Sequence, residues 1–162
     1  GVSPSFGFHP LPGQEGGRGM VEGVLLESEG MLYLPKNHAV EMIAHAQEEA
    51  PNECCGILAG TGGRAVKLYR ARSSEKSPIR YSVDPQDLYR IYREIEDRGW
   101  ELLAIYHSHT HTEAYPSATD VKLAFWPDSL YVIVSLQCPQ PAIRAFRIQD
   151  GAISEEEIEI ET

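Results

Sequence analysis

Cysteine and long apolar runs are both scarce in this sequence. Its three cysteines are odd in number, and two of them are adjacent, which is a poor basis for a disulfide framework. No run approaches the roughly 20 apolar residues that a membrane-spanning helix needs, and no secretory signal is visible near Gly1. We therefore expect a soluble protein of the reducing cytoplasm, with no membrane partner.

Positive charge is also in short supply, and this narrows the class of partner. The chain has 14 Lys and Arg against 24 Asp and Glu, a formal net charge of −10. Affinity for a nucleic-acid backbone comes from clustered Lys and Arg, so this charge argues against nucleic acid as the main partner. A protein or a small molecule is the expected partner.

The length of 162 residues leaves room for one domain with its own core plus a short appendage. Residues 1–19 are rich in Gly and Pro and show no apolar period, which is typical of a flexible tail, a linker or a cloning remnant. We therefore expect the folded domain to occupy residues 20–162.

Helix and strand patterns mix along the chain without a regular βαβ repeat, which indicates an α/β (α+β) class with a mixed sheet flanked by helices. The alternation of Ile and Glu near the C-terminus predicts a strand at a sheet edge. Helices are predicted at 38–50, 84–99 and 117–125, and strands at 24–26, 31–34, 54–60, 65–69, 102–106, 130–136, 142–148 and 153–161. Neighbouring residues on a strand point to opposite faces, so Cys54 and Cys55 are expected to be small buried residues and not a zinc pair.

The stretch from His107 to Asp120 carries the candidate chemistry. His107 and His109 are two residues apart at a predicted strand end, so both imidazoles leave the same face and can converge on one ion. Asp120 falls in the first turn of the following helix, where a carboxylate oxygen can complete a three-ligand set. Such a set leaves one zinc position open for water, as a hydrolytic site needs. Taken alone, Ser117-x-x-Asp120 after Pro116 also fits an ordinary helix N-cap.

The motif His-x-His, seven residues, Ser, two residues and Asp resembles the signature of the JAMM/MPN+ metallopeptidases. Glu53, in front of the predicted strand 54–60, matches the glutamate that lies upstream in that family. The likeness covers roughly residues 32–148. It implies a curved mixed β-sheet with flanking helices, the MPN-domain architecture, which is similar to that of cytidine deaminases.

The resemblance also implies roles for single residues. His107, His109 and Asp120 would bind one Zn²⁺ per chain. Glu53 would take a proton from a zinc-activated water and pass it to the leaving amine, and Ser117 would hydrogen-bond the oxyanion. These roles suit the chemistry, because zinc lowers the pKa of its water to about 7 and a fixed donor stabilises the transition state.

The residue after the second histidine points to a branch of the family. Many members have Pro there, whereas this chain has Thr110. That variant resembles bacterial peptidases that act on ubiquitin-like sulfur carriers such as CysO. It implies a deubiquitinase-like peptidase or isopeptidase that cleaves after the C-terminal Gly-Gly of a carrier protein. The leaving group and a homodimeric state stay open, and His111 is expected to be polar surface.

Two other readings compete with the peptidase. His107-x-His109-x-x-x-Glu113 partly fits the first metal motif of a cupin, which would hold Fe or Mn. The cupin motif has a Gly at the position that Glu101 occupies here, and it has a second histidine further along the chain. No histidine follows His111 in this sequence. A metal-free MPN scaffold is the second alternative, although this chain keeps every ligand residue of the motif.

Overall fold

The computed structural model describes residues 30–162, which form seven strands and three helices. The strands are β1 (Met31–Pro35), β2 (Cys55–Thr61), β3 (Arg64–Ala71), β4 (Glu101–His109), β5 (Leu130–Ser135), β6 (Ala142–Gln149) and β7 (Ala152–Glu161). The helices are α1 (Lys36–Glu49), α2 (Pro85–Asp97) and α3 (Ala118–Lys122). The predicted strand at 24–26, the tail at 1–19 and the domain start at residue 20 lie outside the described residues.

The seven strands form one mixed sheet in the order β1-β3-β2-β4-β5-β6-β7. β2 and β3 form the antiparallel hairpin that their sequences predict, and β4 pairs antiparallel with β2 and parallel with β5. β1 pairs parallel with both β7 and β3, the latter through Tyr33 and Arg64. The mixed class is confirmed, but the sheet curves far enough to close into a barrel.

The C-terminal strand corrects one sequence prediction. An edge position is expected from its Ile and Glu alternation, but β7 pairs with β6 on one side and with β1 on the other. Ile153 and Ile158 pack against the core, while most of the glutamates face water. The alternation does identify a half-buried strand, but it carries no information about how many neighbours that strand has.

The two longer helices, α1 and α2, cover opposite faces of the sheet. Ala39, Met42 and Ala46 of α1 are buried in a cluster with alternate residues of β2 and β4, including Leu58 and Tyr106. The other residues of these strands pack with the buried face of α2 in a second cluster, which contains Ile57, Ala59, Ile105, Leu88, Ile91 and Ile95. Cys54 lies in the first cluster and Cys55 in the second, as the alternation of strand side chains predicts.

The start of α2 follows directly from its sequence. The Asp84 side chain accepts a hydrogen bond from the backbone N–H of Asp87, and Pro85 occupies the first turn, where its missing N–H costs nothing. Gly99 ends the helix with a φ of +73°, a conformation that favours glycine. None of the helices within residues 30–162 is long and apolar enough to cross a membrane.

Candidate metal centre

β4 brings the two histidines of the motif to one buried face. The strand runs three residues further than the apolar pattern predicts, because His107, Ser108 and His109 continue the parallel ladder with β5. His107 is fully buried and His109 nearly so, and their Nε2 atoms are 3.2 Å apart. The i, i+2 spacing therefore places both imidazoles together, as the sequence predicts.

Asp120 reaches the histidines from the first turn of α3. Its backbone N–H donates to Ser117 Oγ at 3.0 Å, and its Oδ2 accepts from the Ser117 N–H at 2.9 Å, which makes a capping box. The same Oδ2 lies 3.1 Å from His107 Nε2 and 3.0 Å from His109 Nε2. The capping and ligand interpretations of this motif are thus compatible, because the cap holds the carboxylate where it meets the histidines.

These three side chains fit a divalent metal. One ligand atom from each lies within 4.8 Å of the other two, and all three residues are buried. His109 Nδ1 is 2.8 Å from the Glu113 carbonyl, which can only accept, so Nδ1 carries a proton and Nε2 is the ring nitrogen that faces Asp120 and would bind a metal. Two imidazole nitrogens and a carboxylate oxygen form a donor set that zinc accepts.

The electrostatics keep Asp120 ionised. Burial raises the pKa of Asp120, but hydrogen bonds with His107 and His109 outweigh it and hold this pKa well below its usual range. Burial lowers the pKa of His107 and keeps its ring neutral. Asp120 and His107 are therefore in the protonation states that metal binding requires. Burial lowers the pKa of His109, but its hydrogen bonds with Asp120 and the Glu113 carbonyl outweigh this and raise that pKa, so a metal would displace a proton from this ring.

Glu53 is near enough to His109 and Asp120 to interact with them electrostatically, and its pKa is shifted in the opposite direction to that of Asp120. It is 5% exposed, and its Oε1 has no hydrogen-bond partner among the described residues. Burial raises its pKa to about 8, with His109 lowering this pKa and the charge of Asp120 raising it. A buried carboxyl with a spare oxygen, which interacts electrostatically with two candidate ligands, suits proton transfer more than a structural role.

Two further residues support the centre, and sequence patterns did not indicate either. Ser108 points away from the two histidines, and its Oγ accepts from the Cys54 N–H at 2.8 Å, which joins the start of β2 to β4. Tyr81 stacks on His107, with ring centroids 4.3 Å apart and planes at 19°. Tyr81 belongs to the connection between β3 and α2, which has no helix or strand periodicity. The sequence therefore contained no local signal that places Tyr81 beside His107.

The remaining polar residues of the motif region stay at the surface. His111 is exposed and lies beyond the last residue of β4, as predicted. Glu113 is also exposed and contributes its backbone carbonyl, not its carboxylate, to His109. The metal cluster of the described residues is His107, His109 and Asp120, so the set that a cupin would use does not form.

A cavity of about 300 Å³ opens beside Asp120. Its wall includes Thr119 and Asp120 from α3 and the buried Ile105 of β4. Most of the other wall residues are apolar or aromatic, among them Tyr81, Val83, Leu88, Leu123, Phe125, Trp126 and Tyr131. Asp120 is the candidate ligand that lines this apolar depression, so the depression borders the candidate centre on its Asp120 side.

Comparison with known proteins gives a family for this arrangement. The model for prokaryotic homologs of the JAB domain matches residues 35–149. The CysO-cysteine peptidase of Mycobacterium tuberculosis is 44% identical over 122 residues, which cover 74% of this chain and 84% of that relative. A probable TtuB-protein conjugate cleaving protease of Thermus thermophilus is 36% identical over 122 residues, which cover 75% of this chain and 78% of that relative.

A solved structure agrees with these sequence relatives. The solution structure of protein DSY2949 from Desulfitobacterium hafniense is 37% identical and matches with a TM-score of 0.74, over 81% of this chain and 93% of that one. The family match includes all three residues of the candidate metal cluster, and it rules out the cupin interpretation. The chain belongs to the prokaryotic JAB-domain family, within the JAMM/MPN+ group that its motif resembles.

Proposed function

We propose that this chain is a zinc-dependent peptidase or isopeptidase that hydrolyses the bond after the C-terminal Gly-Gly of a ubiquitin-like or sulfur-carrier protein. The observation that carries the proposal is the convergence of His107 Nε2, His109 Nε2 and Asp120 Oδ2 at one buried point. The relatives support the class of reaction, since one is named as a peptidase of CysO-cysteine and another as a protease of TtuB-protein conjugates.

His107, His109 and Asp120 would hold the zinc ion. When bound, the ion would supply a Lewis acid that polarises the scissile carbonyl and acidifies a water molecule. Three protein ligands would leave a coordination position open, as hydrolytic zinc sites have and structural ones lack. The buried setting strengthens these electrostatic interactions, because little water competes with them.

Glu53 would act as the general base and then as the general acid. Its carboxyl takes a proton from the attacking water and delivers that proton to the leaving amine. Burial, with smaller opposing effects from His109 and Asp120, raises the pKa of Glu53 to about 8, and a nearby cation would lower this pKa, because it favours the ionised carboxylate. The two opposed effects would bring the pKa of Glu53 from about 8 towards neutral pH, where a general base and acid works best.

Ser117 would donate to the oxyanion. Its Oγ accepts the Asp120 N–H, so the hydroxyl hydrogen stays available for another acceptor. The residue is only half-buried, which leaves that hydrogen accessible to a substrate carbonyl. The capping box fixes the position of the oxygen, and a preorganised donor costs no reorganisation during the reaction.

The cavity beside Asp120 is the proposed place for the carrier tail. A Gly-Gly end has no side chains, so its last carbonyl can approach buried ligand atoms closely. The apolar wall would bury the tail residues that precede the two glycines, and exposed Leu123 and Phe125 extend this surface outward. The leaving group would be cysteine, a short extension or a conjugated amine.

A metal-free scaffold is the competing function, and one experiment separates the two. Sulfur-carrier proteins extended beyond Gly-Gly are incubated with the purified chain, and the products are identified by mass spectrometry. We expect cleavage after Gly-Gly that stops when a chelator removes zinc and resumes when zinc is restored. Intact carriers in the zinc-loaded reaction would support the scaffold, and cleavage of unfolded proteins without Gly-Gly preference would contradict the proposed specificity.

A further inference from the structure

The two candidate histidine ligands are held in different ways. His109 has its Nδ1 within 2.8 Å of the Glu113 carbonyl, which fixes the orientation of the ring. His107 Nδ1 is buried and has no hydrogen-bond partner within residues 30–162. Metal-binding histidines almost always donate this second ring N–H to an outer partner, which orients them. Another contact must therefore orient His107.

The ring of Tyr81 provides that contact. It stacks on the His107 imidazole with centroids 4.3 Å apart and an angle of 19° between the planes. His109 meets the same imidazole at 60°, with centroids 5.0 Å apart. Aromatic rings in stacked and edge geometries attract each other beyond the effect of buried area, so these two neighbours restrict rotation of the His107 ring.

Tyr81 is itself held in place by the chain that carries it. Residues 72–84, which we call the β3–α2 segment, are closed at their base by the bridge between Ser73 and Val83 and by the Asp84 N–H to Arg72 O hydrogen bond of 2.8 Å. The tip of this segment accepts the Glu53 N–H through the Ser77 carbonyl at 2.9 Å. A segment fixed at both base and tip presents the Tyr81 ring in a defined position.

We infer that Tyr81 is a positioning residue, which holds the His107 imidazole so that Nε2 points at His109 and Asp120, in place of the missing hydrogen bond at Nδ1. The inference rests on the proposed metal site. Because the contact uses the face of the ring, the phenol oxygen of Tyr81 is not needed for it. Phenylalanine should therefore replace Tyr81, whereas an aliphatic side chain of similar volume should not.

The test compares Tyr81→Leu with Tyr81→Phe, and Tyr89→Leu serves as a matched control on the exposed surface of α2. Zinc affinity is measured by competition with a chromogenic chelator, and the visible spectrum of the Co²⁺-loaded protein reports ligand geometry. We expect Tyr81→Leu to bind zinc roughly tenfold more weakly, with an altered Co²⁺ spectrum, while the other two stay within about twofold of wild type.

Two results would overturn this role. Wild-type zinc affinity and an unchanged Co²⁺ spectrum in Tyr81→Leu would show that the ring does not position His107. A raised KM at unchanged zinc affinity would instead make Tyr81 a substrate contact. Wild-type protein that binds no zinc would contradict the proposed function itself, and it is measured first for that reason.

If the Tyr81 variants do not fold, the wild-type protein itself can test whether Tyr81 positions His107. In the zinc-loaded form, NMR should show the His107 ring protons shifted upfield by the ring current of Tyr81, and Tyr81→Phe should keep that shift. Unshifted His107 resonances in the zinc-loaded wild-type protein would mean that the imidazole leaves Tyr81 when metal binds, which contradicts a positioning role.

Discussion

The pKa values of two carboxyl groups at the candidate centre, those of Asp120 and Glu53, are shifted in opposite directions. Hydrogen bonds with His107 and His109 overcome the effect of burial and hold the pKa of Asp120 well below its usual range, whereas burial raises the pKa of Glu53 to about 8. Neighbouring acids whose environments separate their pKa values are typical of sites that assign them different tasks. The division agrees with a ligand role for Asp120 and a proton-transfer role for Glu53.

The Glu53 assignment predicts a variant that binds metal but does not turn over. Glu53→Gln keeps the size of the side chain and removes its ability to accept a proton. We expect zinc content equal to wild type and a kcat lower by about 10³ or more, measured on a carrier extended beyond Gly-Gly. Activity within about tenfold of wild type would mean that another group moves the proton.

The proposed role of Ser117 predicts a smaller loss of activity than that of Glu53→Gln. Ser117→Ala removes the proposed oxyanion donor and one half of the capping box, while the backbone N–H that contacts Asp120 remains. We expect a fall in kcat of about 10²-fold at most and a loss of roughly 1 kcal/mol in unfolding free energy. Ser117→Thr keeps a hydroxyl and should recover part of the activity, and an equal loss in both variants would argue against a role for the hydroxyl.

At the scale of elements, Asp87 joins the end of β3 to the start of α2. Its buried carboxylate accepts hydrogen bonds from Arg72 Nε at 3.1 Å and from the Arg72 backbone N–H at 2.8 Å, and Arg90 lies 3.2 Å away. The hydrogen bond from the Arg72 side chain is the largest influence on the pKa of Asp87, which lies well below its usual range. These contacts close the β3–α2 segment, which carries Tyr81.

Asp87→Asn should therefore destabilise the fold in a pH-dependent way. We expect a loss on the order of 2 kcal/mol in unfolding free energy near neutral pH, from urea denaturation. The folded pKa is depressed, so this stabilisation is present above the unfolded pKa of about 3.9 and disappears as the pH falls through and below that value.

Urea denaturation of wild type and Asp87→Asn at pH 7 and at pH 3 checks the direction of this pH dependence. The difference between wild type and Asp87→Asn should shrink at pH 3, where the unfolded carboxyl is already protonated. Asp97→Asn, an exposed change near the end of the same helix, should stay within about 0.5 kcal/mol of wild type at both values. A wild-type advantage over Asp87→Asn that is constant with pH would contradict the assigned charge interaction.

Local patterns predicted most of the elements, because apolar periodicity and capping residues act over a few positions. The α2 start at Asp84-Pro85, the β2–β3 hairpin and the buried strand before His107 all follow from such signals. The last three residues of β4, which follow Tyr106, are polar, so the apolar pattern did not include them in the predicted strand. Their ladder with β5 holds them in it. Strand neighbours, not composition, decided that boundary.

At the scale of the whole molecule, closure of the sheet and the outer contacts of the site could not be read from the sequence. β1 pairs with β7 across more than 100 residues of chain, and nothing in either strand specifies that partner. Tyr81 reaches His107 through a segment without periodicity. The convergence of His107, His109 and Asp120 could be predicted, because His-x-His on a strand and Asp at a helix start each place a side chain by local geometry alone.

The zinc content of the whole protein tests the central claim most directly. Wild type, His109→Ala and Asp97→Asn are purified identically, loaded with zinc, desalted and measured by elemental analysis, with circular dichroism as a check on folding. We predict close to one zinc per chain in wild type and in Asp97→Asn, and almost none in a folded His109→Ala protein, which lacks one of three ligands. Zinc retained in full by His109→Ala, or absent from wild type, would contradict the metal centre.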